Sequence, residues 1–239
     1  MATFVLVHGG GQGGWAWQST ARLLRAAGHE VYTPTLTGFG ERHHLDGPHV
    51  SFQTFVDDIA NVIRFEELSD VVLVGHSMGG VVVPRVAEAV PDRIRRVVWV
   101  TAVVARDGQS LLQTAPQSPW IAEAIILGPQ GIVGTDPERL LDANIQDGTP
   151  EQRDFVRRYH RSSYPNYALT EPGRLSAFLK LGLPTGYVLA TQDRTIEPHI
   201  AAGFMDLLPG CRRAEIAAGH QCMVTRPREM AEILAWMAD

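Results

Sequence analysis

The stretch Val71-Val72-Leu73-Val74-Gly75-His76-Ser77-Met78-Gly79-Gly80 decides the fold of this 239-residue chain. Its first four residues form a continuous apolar run, which is typical of a buried parallel strand. A helical pattern follows to about Ala89. Between them, Gly75-x-Ser77-x-Gly79 predicts a sharp strand-to-helix turn that strains the backbone of Ser77. Because this turn lifts the Ser77 hydroxyl above the sheet edge, beside a helix N-terminus, we predict that Ser77 is a nucleophile.

Strand and helix patterns alternate on both sides of this stretch. The alternation predicts a doubly wound, mostly parallel α/β sheet with helices on both faces, formed by a single domain over residues 1–239. Residues of about 106–181 contain Pro, Gly and short helix candidates but no clear strand. This segment is too long for a simple connection, so we predict an inserted, mainly helical cap. The other strands are predicted at Phe4–Val7, Glu30–Thr35, Val97–Val100, Tyr187–Ala190 and Ala214–Ile216.

A serine hydroxyl needs a base, and the base needs a carboxylate that holds its tautomer. His220 follows the last predicted strand and Asp193 follows the penultimate one. Both therefore lie at the carboxyl edge of the sheet, together with Ser77. The chain order Ser, Asp, His agrees with this arrangement. Asp107 is the alternative carboxylate, although Arg-Asp-Gly also predicts an ordinary turn there.

Two backbone N–H groups are predicted to form an oxyanion hole. One belongs to Met78, the residue after the nucleophile, and the other to the glycine-rich turn after the first strand. We assign the second to Gly10, with Gly11 as the alternative, because glycine lets the backbone approach a substrate closely.

The remaining histidines do not predict a metal or cofactor site. His76 adjoins the nucleophile and is predicted to be packed or hydrogen-bonded, pointing away from the site. His43, His44 and His49 share a polar loop, but their spacing matches no standard metal site. We predict that no metal and no cofactor is required.

Composition limits the classes of binding partner and the cellular setting that we expect. The net charge is −5 and no Lys/Arg stripe is present, which argues against nucleic acid. The N-terminal apolar run is too short for a signal peptide or a membrane span. Cys211 and Cys222 are the only cysteines, which favours a reducing, cytoplasmic setting. Cys222 is interpreted as a small buried residue, with a place in the site as the alternative. The oligomeric state stays open, a homodimer included.

Short motifs are spread along the chain, namely His8-Gly9-Gly10, Gly14-Trp15, Pro34-Thr35-Leu36-Thr37-Gly38, Gly75-His76-Ser77-Met78-Gly79, Asp193 and Gly219-His220. Together they resemble the plant methylesterase and hydroxynitrile lyase branch of the α/β-hydrolases and its bacterial relatives. The resemblance runs nearly end to end, and it implies the Ser77, Asp193 and His220 roles and Gly10 as an oxyanion donor. Relatives commonly have an aspartate where this chain has Thr101.

Two departures favour hydrolysis over the lyase reaction. Lyase members carry a lysine after the catalytic histidine and a threonine after the first-strand histidine, where this chain has Gln221 and Gly9. We therefore predict a serine hydrolase of the carboxylesterase type that cleaves a small ester through an acyl-enzyme on Ser77. Trp120 of the cap and Gln221 are candidate substrate-binding residues. The cap residues Ile121 and Ile125-Ile126-Leu127 are further candidates for the pocket lining, and burial within the cap itself is the alternative for them and for Trp120.

Alternatives remain on the same three residues. The resemblance to bacterial relatives implies that a carbamate or amide-like compound could be the substrate. A hydroxynitrile lyase, a cofactor-free oxygenase or perhydrolase, and a non-catalytic ligand-binding protein are further alternatives. Oxygen dependence, cyanide release and turnover of p-nitrophenyl acetate distinguish them.

Overall fold

A computed structural model describes residues 1–114, 119, 123, 125–128, 131–165 and 167–239. Within these residues, the main sheet has six parallel strands in the order β2-β1-β3-β4-β7-β8, and β5 pairs with β6 in an antiparallel hairpin. The strands are β1 Thr3–Val7, β2 Glu30–Tyr32, β3 Val71–His76, β4 Ile94–Val100, β5 Ile125–Gly128, β6 Gly131–Thr135, β7 Thr185–Ala190 and β8 Arg212–Ile216.

Helices connect the parallel strands and cover both faces of the sheet, as parallel pairing requires. The α-helices of the described residues are α1 Gln18–Ala26, α2 Phe52–Phe65, α3 Gly79–Ala89, α4 Leu111–Thr114, α5 Pro137–Asn144, α6 Pro150–Tyr159, α7 Tyr167–Thr170, α8 Leu175–Leu179, α9 Pro198–Met205, α10 Cys222–Thr225 and α11 Pro227–Ala238. Short 3₁₀ helices occupy Gly14–Trp17, Gly40–Leu45 and Pro91–Arg93.

The core has two halves, one on each face of the sheet. Because successive strand side chains point to opposite faces, Val5 and Leu73 pack with α2 and α3, while Phe4 and Val72 pack with α1 and α11. The side chains of the central strands are buried on both faces of the sheet, so these strands are apolar without alternation. The sequence therefore reads as continuous apolar runs.

The winding of the sheet positions the site. β1 pairs with β2 on one side and with β3 on the other, so the winding direction reverses between β1 and β3. The loops after these two strands consequently diverge at their carboxyl ends and leave a crevice, which is where open α/β sheets bind ligands. The glycine-rich turn after β1 and the Ser77 turn after β3 face each other across it.

The predicted doubly wound parallel sheet is confirmed, with adjustments at its ends. Ser51 caps α2 through a reciprocal pair of hydrogen bonds with Thr54. β2 ends at Tyr32 rather than Thr35, because the following residues turn to approach Gly14, whose N–H donates to Thr35 Oγ1 over 2.8 Å.

The expectation of no strand in residues 106–181 was wrong. The β5–β6 hairpin lies there, pairing Ile126 with Gly134 and Gly128 with Gly131. Its two strands are only four and five residues long and contain three glycines, which have low strand propensity, so the sequence carried little strand signal.

The segment between β4 and β7 contacts the loops at the carboxyl edge of the main sheet. The Asn144 carbonyl accepts the Gln221 N–H over 2.9 Å, and the Arg161 N–H donates to the Gly11 carbonyl over 2.8 Å. These contacts bring residues of the segment next to the turns that follow β1 and β8.

Candidate active site

The turn after β3 has the strained geometry expected of it. Ser77 has a φ of 51°, a left-handed conformation that is uncommon for a residue other than glycine. Its flanking glycines allow the tight packing, because a Cβ on Gly75 would lie 2.7 Å from the Gly79 carbonyl oxygen. A Cβ on Gly79 would lie 2.8 Å from the carbonyl oxygen of His8. Any side chain at these two positions would force strand and helix apart.

Asp193 and His220 form a buried pair. His220 Nδ1 lies 2.7 Å from Asp193 Oδ2, and the two residues are 2% and 3% exposed. The other carboxylate oxygen accepts the N–H groups of Thr195 and Ile196 over 2.7 and 2.9 Å. Because Asp193 accepts at Nδ1–H, the ring of His220 is held in the tautomer that leaves Nε2 free as a base.

His76 holds the backbone of His220 in place. Its Nε2 donates to the His220 carbonyl over 2.9 Å, and the two rings lie 4.7 Å apart. His76 is therefore buried and hydrogen-bonded, as the sequence indicated, yet it lies against the site rather than away from it. Burial holds the pKa of His76 well below its usual range, so this ring is neutral at neutral pH. Through this contact the Ser77 turn and the His220 loop meet, while the Ser77 hydroxyl itself makes no hydrogen bond to another described residue.

Thr101 completes the surroundings of Asp193. Its hydroxyl donates to Asp193 Oδ2, the oxygen that also contacts His220. Thr101 is fully buried, its φ is 39°, and its N–H donates to the Val188 carbonyl over 2.8 Å. The sequence singled out Thr101 without a role. Its place at the end of β4, beside β7, was the available signal, because the carboxyl ends of neighbouring parallel strands meet.

Thr101→Val is expected to lower kcat/KM for an ester about 10-fold, which is the loss of one hydrogen bond to a charged group. Valine keeps the shape and the β-branching of threonine, so the backbone strain is unchanged. The variant would be compared with Thr101→Ser, which restores a hydroxyl, in steady-state ester hydrolysis. Equal rates for the valine variant and the natural protein would contradict a positioning role for the Thr101 hydroxyl.

The glycine-rich turn after β1 is organised by buried polar side chains. Gln12 Oε1 accepts the Gly9 N–H over 2.8 Å. His8 Nε2 accepts the Leu36 N–H over 3.1 Å, so its Nδ1 carries the proton and donates to the Gly9 carbonyl over 2.8 Å. Burial lowers the pKa of His8 to about 4, which fits this neutral ring. Gln12 and His8 were not predicted as contributors to the turn.

This arrangement bears on which amides can bind an oxyanion. The Gly9 N–H is occupied by Gln12. By contrast, the N–H groups of Gly10, Gly11 and Met78 have no acceptor among the loop and side-chain hydrogen bonds of the described residues. Gly10 and Met78 therefore stay our candidates for the two oxyanion donors, with Gly11 as the alternative.

The other predicted residues are placed as follows. Asp107 is exposed and accepts from the N–H and hydroxyl of Ser176, not from His220. Gln221 is fully buried, and both polar atoms of its amide lack a hydrogen-bond partner within the described part of the chain. Cys222 is fully buried in the core on the α1 face, where burial raises the pKa of its thiol.

Part of the predicted pocket lining lies outside the described residues, namely Trp120 and Ile121. Ile126 of β5 is half-exposed. His43 and His44 contact the carbonyls of Gly40 and Glu41. Among the described residues, no group of three or more His, Cys, Asp or Glu side chains could hold a metal ion. No helix of the same residues is long and apolar enough to cross a membrane.

Known proteins are similar to this chain over nearly all of its length. The model of the alpha/beta hydrolase family matches residues 4–233. The chain is 36% identical over 241 residues to a carbendazim hydrolyzing esterase of Nocardioides sp. (strain SG-4G), covering 98% of this chain and 99% of the relative. It is 26% identical over 255 residues to the probable esterase PIR7A of Oryza sativa, covering 98% and 96%.

A solved structure shares the fold at nearly full length. An extracellular alpha/beta-hydrolase from a Paenibacillus species, described as sharing structural and functional homology with tobacco salicylic acid binding protein 2, superposes with a TM-score of 0.79. That protein is 26% identical, and the match covers 99% of both chains.

This chain belongs to the alpha/beta hydrolase family. Within that family it is an esterase-like relative of the plant methylesterases and of a bacterial carbendazim hydrolyzing esterase, and it is a hydrolase of the esterase type.

Proposed function

We propose that this protein hydrolyses small carboxylic esters through an acyl-enzyme on Ser77. The observation that carries the proposal is the buried Asp193–His220 pair at 2.7 Å, joined through His76 to the strained Ser77 turn. A residue in a left-handed conformation costs on the order of 1–3 kcal/mol, and such strain clusters at functional sites.

In the first step, Ser77 Oγ attacks the ester carbonyl carbon while His220 Nε2 takes the hydroxyl proton. Asp193 stabilises the imidazolium that forms, and Thr101 keeps the shared carboxylate oxygen in position. The N–H groups of Gly10 and Met78 bind the oxyanion of the tetrahedral intermediate. The intermediate collapses when the alcohol leaves with the proton from His220.

In the second step, water hydrolyses the acyl-serine. His220 Nε2 removes a proton from the water, the resulting tetrahedral intermediate uses the same two amides, and the proton returns to Ser77 Oγ as the carboxylic acid is released. Neither of these two reaction steps needs redox or metal chemistry.

Gln221 remains our candidate for substrate binding. A buried amide without partners costs free energy, because it has lost its hydrogen bonds to water. A substrate that offers a carbonyl and an N–H group, such as a carbamate, could satisfy both ends of that amide. This supports carbamate hydrolysis as a second candidate function. Trp120 stays a prediction as a pocket residue.

Labelling and turnover by the purified protein test the proposal. We expect a fluorophosphonate probe to label the chain once, and p-nitrophenyl acetate to be hydrolysed faster than longer acyl esters. Carbendazim and simple methyl carbamates belong in the same panel, because one relative is called a carbendazim hydrolyzing esterase. Absence of both labelling and turnover would indicate a non-catalytic ligand-binding protein, and cyanide release from a cyanohydrin would indicate a lyase.

We also propose a cytoplasmic setting and small molecules as the only substrates. Cys211 and Cys222 are both free thiols, so the fold does not depend on a disulfide. A homodimer stays a prediction.

A further inference from the structure

The segment His160–Tyr164, which follows α6, lies directly against the turn that contains Gly10. The Arg161 N–H donates to the Gly11 carbonyl over 2.8 Å. His160 covers Gly11 so closely that a Cβ on this glycine would collide with its ring. These two contacts fix the position of the segment relative to the turn that contains Gly10.

His160 strengthens this attachment as a neutral ring. Burial lowers the pKa of His160 to about 4, and a backbone hydrogen bond at Gly10 opposes only part of this effect. The ring is therefore uncharged at neutral pH.

Tyr164 brings a hydroxyl to the same turn. A Cβ on Gly10 would lie 3.0 Å from the Tyr164 hydroxyl oxygen, so the phenol end rests on the Gly10 Cα. The ring packs against Phe39, with 5.5 Å between the centroids. Within the described residues, this hydroxyl has no hydrogen-bond partner.

The hydroxyl also keeps its proton. Burial raises the pKa of Tyr164 to about 12, so the group is a donor throughout the pH range in which an esterase is assayed. A protonated, half-buried hydroxyl with no acceptor among the described residues is free to donate its hydrogen bond to a ligand. Beside the Gly10 amide, the ligand atom that develops negative charge is the former carbonyl oxygen.

We propose that Tyr164 donates a third hydrogen bond to the oxyanion that forms on attack by Ser77. This inference rests on the proposed function and adds a side-chain donor to the two backbone donors of Gly10 and Met78. No covalent bond to Tyr164 forms or breaks. His160 and Arg161 act as positioning residues that hold Tyr164 next to the Gly10 turn.

Tyr164→Phe tests the proposal, because it removes the hydroxyl and keeps the ring that packs on Phe39. We expect kcat and kcat/KM for p-nitrophenyl acetate to fall together by about 100-fold, the usual effect of losing one oxyanion donor. A trifluoromethyl ketone, which forms a charged tetrahedral adduct with the serine, should bind more weakly by a similar factor. KM should change little.

Tyr32→Phe is the matched control. Tyr32 is in β2 at the sheet edge, and its hydroxyl donates to Glu30 over 2.8 Å, remote from the Ser77 turn. We expect natural rates from this variant. Unchanged rates in Tyr164→Phe, or a raised KM with unchanged kcat, would overturn the third-donor role and leave the proposed function intact. Failure of the natural protein to hydrolyse any ester would instead contradict the proposed function.

Discussion

Ser77→Ala is expected to lower kcat for p-nitrophenyl acetate by about 10⁵–10⁶-fold and to abolish fluorophosphonate labelling. The expected size follows from subsets of a serine triad that act as one unit. His220→Ala should cost about as much. The double variant should be no slower than either single variant, because neither residue contributes to covalent catalysis without the other. Steady-state kinetics with active-site titration would measure all three.

The matched control for Ser77 is Ser19→Ala. Ser19 is exposed on α1 and alanine suits a helix interior, so this variant should be as active as the natural protein. Thermal unfolding of each variant separates loss of activity from loss of fold. Retention of full hydrolysis by folded Ser77→Ala would refute the acyl-enzyme mechanism.

Asp193→Asn is expected to lower kcat about 10⁴-fold, with a smaller change in KM. The asparagine amide can present an N–H to His220 Nδ1 and so favour the tautomer in which Nε2 carries the proton. That tautomer cannot accept the proton of Ser77. The same amide would also face the Thr101 hydroxyl, which now donates to the carboxylate.

Asp107→Asn provides the control for this change, since Asp107 was the alternative carboxylate. Its hydrogen bonds are to Ser176, and that contact holds the pKa of Asp107 below its usual range. We expect natural activity from Asp107→Asn. If it were the inactive variant and Asp193→Asn the active one, the assignment of the acid would be reversed.

The fold could be predicted because the local sequence of each central strand is sufficient to identify it. Val71–Val74 is apolar on both faces, since the sheet is covered on both sides, and the glycines after it mark the turn. The β5–β6 hairpin gave no comparable signal. Its short strands contain Gly128, Gly131 and Gly134, and glycine has a low strand propensity.

The site could be predicted only where chain order and strand ends determine it. Asp193 and His220 follow consecutive strands of one sheet edge, so topology alone brought them together. Tertiary contacts that no spacing rule encodes determine the positions of Thr101, His160 and Tyr164. Thr101 is 92 residues from Asp193 in the chain, and Tyr164 reaches Gly10 from a separate segment.

The contact between Gly10 and Tyr164 also bears on how specificity can change in this architecture. A surface segment between two core strands tolerates substitution more readily than the core does, so it is the natural place for evolution or engineering to alter the substrate. Here that segment also touches the Gly10 turn, which we propose binds the oxyanion. Replacing this segment with that of a relative would therefore exchange the proposed oxyanion donor together with the pocket lining. Substrate selectivity and turnover would then change together.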